Sequence, residues 1–222
     1  MHVIRNVSKP EPALVRQFLG MSTATIHEAM GRKGALDSHI KPISRGMKLA
    51  GPAITVEAPF GDNLMLHKAI EVAGPGDVIV CNAGGGTEAG VWGEIMAVAA
   101  QARGIAGIVV DGSVRDSEAM TRRGFPVFSR GICIKGTIKE SLGPINHPMS
   151  LAGVMIFPGD IVVGDDDGVV VIPRNDADTV LKKCQEREAK EKGIMKRLEA
   201  GELTLDIYGF RETLSRNGLT EE

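Results

Sequence analysis

The chain reads as a single α/β domain over residues 1–222, and three observations carry that expectation. Short apolar runs such as 77–81 (DVIVC) and 105–110 (IAGIVV) have the length and β-branched content of buried strands, and stretches with helical starts and stops lie between them. Gly-Pro, Pro-Gly and Asp-Gly pairs punctuate the changes from one to the other. A length of 222 residues with a 43% hydrophobic fraction can bury a substantial core, and no linker divides it.

Two short helices are expected at the start, over 11–20 and 23–31, the second with Ser22 or Thr23 as N-cap and Gly31 as its stop. His27 and Glu28 lie on that second helix. Adjacent helical residues point about 100° apart and no second His follows four residues later, so packing and surface roles are expected of them. Residues 46–58 (GMKLAGPAITVEA) read as a strand after a Gly-Pro turn. A helix capped by Asp62 or Asn63 follows, carries Leu64, His67, Ala69 and Ile70, and ends at Pro75-Gly76. Asn63 and His67 are four residues apart and share a face, so both can line one pocket; a capping Asn and a partly buried His explain the spacing equally well.

The strand 77–81 is followed by Gly84-Gly85-Gly86. Contiguous glycines do not match the G-x-G-x-x-G dinucleotide fingerprint, but between a strand and a helix start they suggest close approach of a small anion.

The stretch 93–116 (GEIMAVAAQARGIAGIVVDGSVRD) organises the rest of the chain. Gly90 and Gly93 lead into Glu94-Ile95-Met96-Ala97, a helical start whose backbone N–H groups can hold an anion. The run 105–110 is the strand, and Asp111-Gly112-Ser113-Val114 is expected as a turn that delivers Arg115 and Asp116 to the strand's carboxyl end. Ligands of open α/β sheets collect at that end. An anion nest, a guanidinium and a hard carboxylate thus come together.

A helix Ser117–Arg123, a strand at 127–128 and a loop-rich region over 131–148 are expected next. Pro158-Gly159-Asp160 before Ile161-Val162-Val163 echoes Pro75-Gly76-Asp77 before Val78-Ile79-Val80, which suggests related corners. Asp165-Asp166-Asp167-Gly168 lacks the alternating ligands and distal Glu of a calcium loop and is expected as a hairpin turn. From 175 to about 200 the chain reads as one long charged helix with a sparse apolar set, Val180, Leu181, Cys184, Ile194, Met195 and Leu198, which is expected to lie across a neighbouring subunit.

Composition narrows the function classes. The net charge is −2 and the 26 Lys and Arg residues are dispersed, which speaks against a nucleic-acid surface. Cys81, Cys133 and Cys184 form neither a disulfide framework nor a CxxC metal site, so a reducing compartment is expected. No run approaches the ~20 apolar residues of a membrane span, and the N-terminus lacks a signal-peptide core. These readings place the protein in the cytoplasm, without membrane or nucleic-acid partners.

The segments ATIHEAMGRKGAL, GDNLMLHKAIE, VDGSVRD, GFPVFSRG and GDDDGVVVIP, together with the run from Gly93-Glu94 to Arg115-Asp116, resemble the class II pyruvate aldolases. Those enzymes cleave 4-hydroxy-4-methyl-2-oxoglutarate and 4-carboxy-4-hydroxy-2-oxoadipate in aromatic-compound degradation, and they share a fold with the RraA regulators of ribonuclease E. The resemblance covers most of the chain. It implies a layered αββα sandwich with a C-terminal helical extension over 175–222, assembled as a homotrimer or homohexamer with active sites at subunit interfaces. It also implies that Asp116 coordinates Mg2+ or Mn2+, that Glu94 holds a metal-bound water, and that Glu191 reaches the site from an adjacent subunit. Backbone amides of Gly93, Glu94, Ile95 and Met96 would hold the pyruvyl carboxylate, and Arg115 would be the catalytic contact to the substrate oxygens. Oxaloacetate decarboxylation, which yields the same enolate, is an implied second activity. The extended C-terminal helix favours the aldolase branch over a non-catalytic RraA-type regulator.

The residue types agree with that chemistry. Carboxylates and waters suit Mg2+ or Mn2+, whereas zinc would want His and Cys ligands that the motif lacks. A Schiff-base mechanism needs a desolvated lysine, and none stands beside the motif. No side chain in the motif is an obvious general base outside the metal shell. His67, Arg130, Lys139 or a neighbouring chain are the candidates for holding the distal carboxylate of a 2-oxo acid substrate.

Overall fold

Backbone pairing gathers eight strands into one sheet in a computed structural model that describes residues 2–221. The order is β1 (Lys41–Pro42), β6 (Val127–Ile132), β5 (Gly107–Val114), β3 (Val78–Asn82), β2 (Leu49–Glu57), β9 (Ile161–Asp165) and β10 (Gly168–Ile172), with β4 (Gly90–Trp92) paired on β5. Strands β2, β3, β5 and β6 are parallel, while β9 runs antiparallel to β2 and forms a hairpin with β10. The sheet curls until its ends approach: Ala35 bridges Val170, and the Lys41 ammonium donates to the Asp167 carbonyl beside β10. The result is barrel-like.

Period-two alternation sorts the apolar side chains to the two faces of this curled sheet. Val78 and Val80 of β3, Val109 of β5, Phe128 of β6, Val162 of β9 and Val169 and Val171 of β10 fill the interior. Their neighbours Ile79, Cys81, Ile108 and Val110 face outward, where α3 (Leu64–Val72), α4 (Glu94–Ala102) and α5 (Ser117–Arg123) cover them with Leu66, Ala69, Ala97, Ala100 and Met120. On the opposite side Ile161, Val163, Val170 and Ile172 pack under α1 (Pro12–Phe18), α2 (Thr23–Ala29) and the first two turns of α6 (Ala177–Glu199). Three apolar layers thus separate helix, sheet, sheet and helix, which is the αββα order expected from the resemblance. Each fully buried Val, Ile or Phe in them contributes roughly 1.5–3 kcal/mol.

Several local expectations hold for physical reasons. Ser22 is the N-cap of α2 and its hydroxyl accepts from the Thr25 amide at 3.1 Å. The Asp-Gly segment is a hairpin turn, and Asp165 uses both carboxylate oxygens to take the Thr23 amide and hydroxyl at 2.9 and 2.6 Å, which ties the hairpin to α2. The two Pro-Gly-Asp corners are the same device: Asp77 Oδ2 accepts from the Gly74 amide at 2.8 Å, and Asp160 Oδ2 accepts from the Phe157 amide at 2.9 Å.

Other expectations are corrected. Asp111 to Val114 are not a turn but the second half of β5, because Asp111 pairs with Asn82 of β3 while Ser113 and Val114 pair with β4 and β6; a register shift against β6 between Val110 and Ser113 marks a bulge there. Gly84-Gly85-Gly86 leads to β4, not to a helix, and its third glycine makes room for an aromatic ring: a Cβ on Gly86 would lie 2.3 Å from Phe60. Past the loop-rich region, Met149–Leu151 (β7) and Val154–Ile156 (β8) form an unanticipated hairpin under the barrel interior. Beyond Cys184, α6 carries no further buried residue, and the expected helical extension over 175–222 continues past it as two short helices, α7 (Thr204–Ile207) and α8 (Phe210–Arg216). Among the described residues, no helix is long and apolar enough to cross a membrane.

Candidate active site

Parallel strands release their connections at one end of the sheet, and four of those connections meet around a cavity of about 370 Å³. The chain leaving β2 reaches Asn63 and His67 on α3, β4 leads into Gly93 and α4, β5 leads into Arg115 and Asp116, and β6 leads towards Gly136, Thr137 and Lys139.

Asp116 is the centre of this arrangement. It stands between β5 and α5 with φ 54° and ψ 35°, a left-handed backbone that a non-glycine residue adopts at a cost of ~1–2 kcal/mol. Its Oδ1 accepts from Arg115 Nε at 3.2 Å and its Oδ2 accepts from the Glu94 amide at 3.2 Å. The protein's own carboxylate therefore occupies the first amide of α4. The Ile95 and Met96 amides stand in the first turn, where a helix offers no acceptor, and they remain for a ligand. Glycine is required at position 93, because a Cβ there would lie 2.5 Å from Asp116 Oδ2 and 3.0 Å from Arg115 Cγ. Gly90 has the same function on the other side of the guanidinium stem, where a Cβ would lie 3.0 Å from Arg115 Cβ. The Arg115 amide donates to the Trp92 carbonyl at 2.8 Å, so β4 and β5 are clasped at the point where both deliver their residues.

The opposite wall carries the α3 residues. Asp62, not Asn63, caps that helix: its Oδ1 accepts from the Leu64 amide at 2.9 Å, and its Oδ2 from the Glu140 and Ser141 amides at 2.9 and 2.7 Å. Burial pushes the Asp62 carboxyl up, but those three amides outweigh it and hold the group down at about 2. Asn63 is thereby released from capping. Its Nδ2 donates to the Val91 carbonyl at 3.0 Å, while its buried Oδ1 has no hydrogen-bond partner among the described residues. His67 faces the same cavity, and burial together with the nearby Lys139 ammonium lowers its pKa.

Of the residues singled out from sequence, Asn63, His67, Gly93, Ile95, Met96, Arg115 and Asp116 line this one cavity. Glu94 borders it but turns its carboxylate to Arg123 Nε at 3.0 Å. Glu191 lies on α6 beside Arg187, 2.8 Å away, and is not brought to the cavity within one chain. Arg130 is excluded as a contact to substrate here, since its guanidinium is held by Asp111 at 2.6 Å and Asp37 at 3.6 Å. Gly136 and Thr137 escaped the sequence reading. No motif announces them, and only their place after β6, at the carboxyl end of a parallel strand, could have marked them.

The donor chemistry fits a hard divalent cation. Asp116 offers a carboxylate 36% exposed in its side chain, although among the described residues no group of three or more His, Cys, Asp or Glu side chains converges on one point. Asp116 would hold the ion, with water or substrate oxygens filling the other positions.

Comparison with known proteins identifies the family. Residues 23–171 match the family model described as RraA-like, Aldolase/RraA. A Halalkalibacterium halodurans protein named provisionally as a 4-hydroxy-4-methyl-2-oxoglutarate aldolase is 38% identical, over 91% of this chain and 96% of its own. The 4-hydroxy-4-methyl-2-oxoglutarate aldolase of a Thermus thermophilus strain is 30% identical over 63% of this chain and 84% of its own. Among solved structures, Streptomyces coelicolor RraAS2, described as an unusual member of the RNase ES inhibitor RraA family, superposes with a TM-score of 0.74 at 31% identity, covering 85% of this chain and all of that one. By the family model over residues 23–171 and these relatives, the chain belongs to the aldolase/RraA family.

Proposed function

We propose that this protein is a divalent-metal-dependent aldolase that cleaves a branched 2-oxo-4-hydroxy acid and releases pyruvate. 4-Hydroxy-4-methyl-2-oxoglutarate is the first substrate of choice, in line with the names of the relatives, and 4-carboxy-4-hydroxy-2-oxoadipate is the second, on the resemblance read from the sequence. The observation that carries the reading is the meeting of Asp116, Arg115 and the open first turn of α4 in one cavity at the carboxyl ends of parallel strands.

The residues divide the work by charge. The Ile95 and Met96 amides would take the C1 carboxylate of the substrate, as helix N-termini take anions. Arg115 keeps its Nε on Asp116, and among the described residues neither terminal nitrogen has a hydrogen-bond partner, so both can face the C2 oxygen. As the C4 hydroxyl gives its proton to a water that Arg115 would orient, breaking the C3–C4 bond leaves negative charge on the C2 oxygen, and a fixed donor of this kind is typically worth ~3 kcal/mol in the transition state. A Mg2+ or Mn2+ ion held by Asp116 would supply further Lewis-acid stabilisation of the same charge. Lys139 and His67 line the far side, where the distal carboxylate of such a substrate would lie. Loss of CO2 from oxaloacetate would develop the same charge and is the proposed second activity.

Glu191 is proposed to complete the site from a neighbouring subunit of a homotrimer or homohexamer, because beyond Cys184 no residue of α6 is buried within its own chain. The decisive assay is pyruvate release from 4-carboxy-4-hydroxy-2-oxoadipate with Mg2+ and again with EDTA. Turnover that persists undiminished in EDTA sinks the reading. The structural match to an RNase ES inhibitor favours a second, regulatory reading. Removal of residues 188–222, which leaves the buried first turns of α6 in place, separates the two, since it should abolish an aldolase assembled across subunits and spare a regulator that does not use Glu191.

A further inference from the structure

Glu94 begins α4 at the edge of the cavity, yet it is not among the residues that line it. Its carboxylate is turned to Arg123 in the last turn of α5, the helix that Asp116 opens, with Arg123 Nε donating to Glu94 Oε1 at 3.0 Å. The two helices lie side by side, since Gln101 Nε2, two turns along α4, donates to the Arg123 carbonyl at 3.3 Å. The Glu94 backbone is fixed by its amide bond to Asp116 Oδ2, so side-chain rotation alone decides where its carboxylate goes.

We propose that Arg123 is a latch that holds the Glu94 carboxylate out of the cavity, and that the pair opens when Glu94 turns to a cation at Asp116. The inference rests on the reading of Asp116 as the metal-holding residue. Three features make the pair an openable device. Both side chains are about two-fifths exposed, at 40% and 41%, so water can replace either partner. Arg123 has no other ion-pair partner among the described residues, so nothing else requires it to stay extended. The Glu94 amide itself donates to the Asp116 carboxylate, so the Glu94 side chain starts beside that group. Arg123 is a positioning residue in this scheme, acting only through Glu94.

Calorimetric titration of Mn2+ into the full-length protein tests the latch in wild type, Arg123→Met, Glu94→Gln and the double variant. Breaking an exposed pair of this kind should tighten Mn2+ binding of Arg123→Met about two- to fivefold. The gain should vanish in the double variant, because Glu94 is the group released. Arg123→Gln, which also keeps a stem and removes the charge, should match Arg123→Met. Equal or weaker binding by Arg123→Met overturns the latch. So does a gain that survives Glu94→Gln, which would reflect only the loss of a nearby positive charge. Asp116→Asn separates the two levels of the argument. If it binds Mn2+ like wild type, the metal-holding reading falls and the latch with it; if it loses binding while Arg123→Met equals wild type, the latch alone falls.

Discussion

The carboxylate of Asp116 closes the N-terminus of α4, the helix that precedes its own strand, with Oδ2 3.2 Å from the Glu94 amide, while Asp116 itself holds a left-handed backbone at φ 54°. One side chain thereby fixes the relative position of β5, α4 and α5, and strain of ~1–2 kcal/mol is stored at the point where the proposed chemistry takes place.

Gly93→Ala should therefore inactivate the protein without unfolding it. The new Cβ would press on Asp116 Oδ2 at 2.5 Å, and the carboxylate must move to accommodate it. Displacements of that order cost about 10²-fold in rate. Pyruvate release falling by that factor, with the thermal midpoint within a few degrees of wild type, is the expected result; a fully active Gly93→Ala contradicts the tight packing.

Asp116 separates function from stability. Asn tolerates the left-handed region nearly as well as Asp, so Asp116→Asn should unfold in urea within ~0.5 kcal/mol of wild type while pyruvate release is lost. Asp116→Ala adds the backbone strain to the lost bonds and should cost a further ~1–2 kcal/mol. Retained turnover in Asp116→Asn would show that the negative charge is dispensable.

Asp62 makes stability depend on pH in a defined window. Its folded carboxyl is held at about 2, below the ~4 of an unfolded Asp, so its contribution is fully present above pH ~4 and is lost as the pH falls towards 2. Asp62→Asn should lose ~2 kcal/mol at pH 7, and the gap to wild type in urea midpoint should shrink between pH 4 and pH 2. A gap that stays constant over that range would refute the assignment.

Arg130 and Asp111 form a mostly buried pair at 2.6 Å beside the bulge of β5, with side-chain exposures of 19% and 11%. The hydrogen bond to Asp111 raises the Arg130 pKa, and Asp37 adds to it. Arg130→Met strands the Asp111 charge and should cost ~3 kcal/mol, and adding Asp111→Asn should recover part of that loss. Because Arg130 is engaged here, KM for the 2-oxo acid should stay near wild type in whatever fraction of Arg130→Met folds. A large rise in KM would restore Arg130 as a substrate contact.

Local chemistry in the sequence determined a good part of this protein. Ser22 capping α2, the two Pro-Gly-Asp corners and the Asp-Gly hairpin follow from interactions between residues a few positions apart, and they stand where expected. Arg115 and Asp116 reach the carboxyl end of a buried strand as the apolar run before them implied.

Pairing across the sheet decided the rest. Asp111-Gly112-Ser113 is a turn-forming run, but strands β3, β4 and β6 offer pairing that outweighs that preference, and β4 is too short for any periodicity to reveal. The bond from Asp116 to the Glu94 amide, the turn of Glu94 towards Arg123 and the capture of Arg130 by Asp111 join residues 19 to 29 positions apart. Spacing along the chain carries no information about such contacts. They exist because a curled sheet brings the ends of its parallel strands to one rim, where the same carboxylates and guanidinium groups must choose between each other and a ligand.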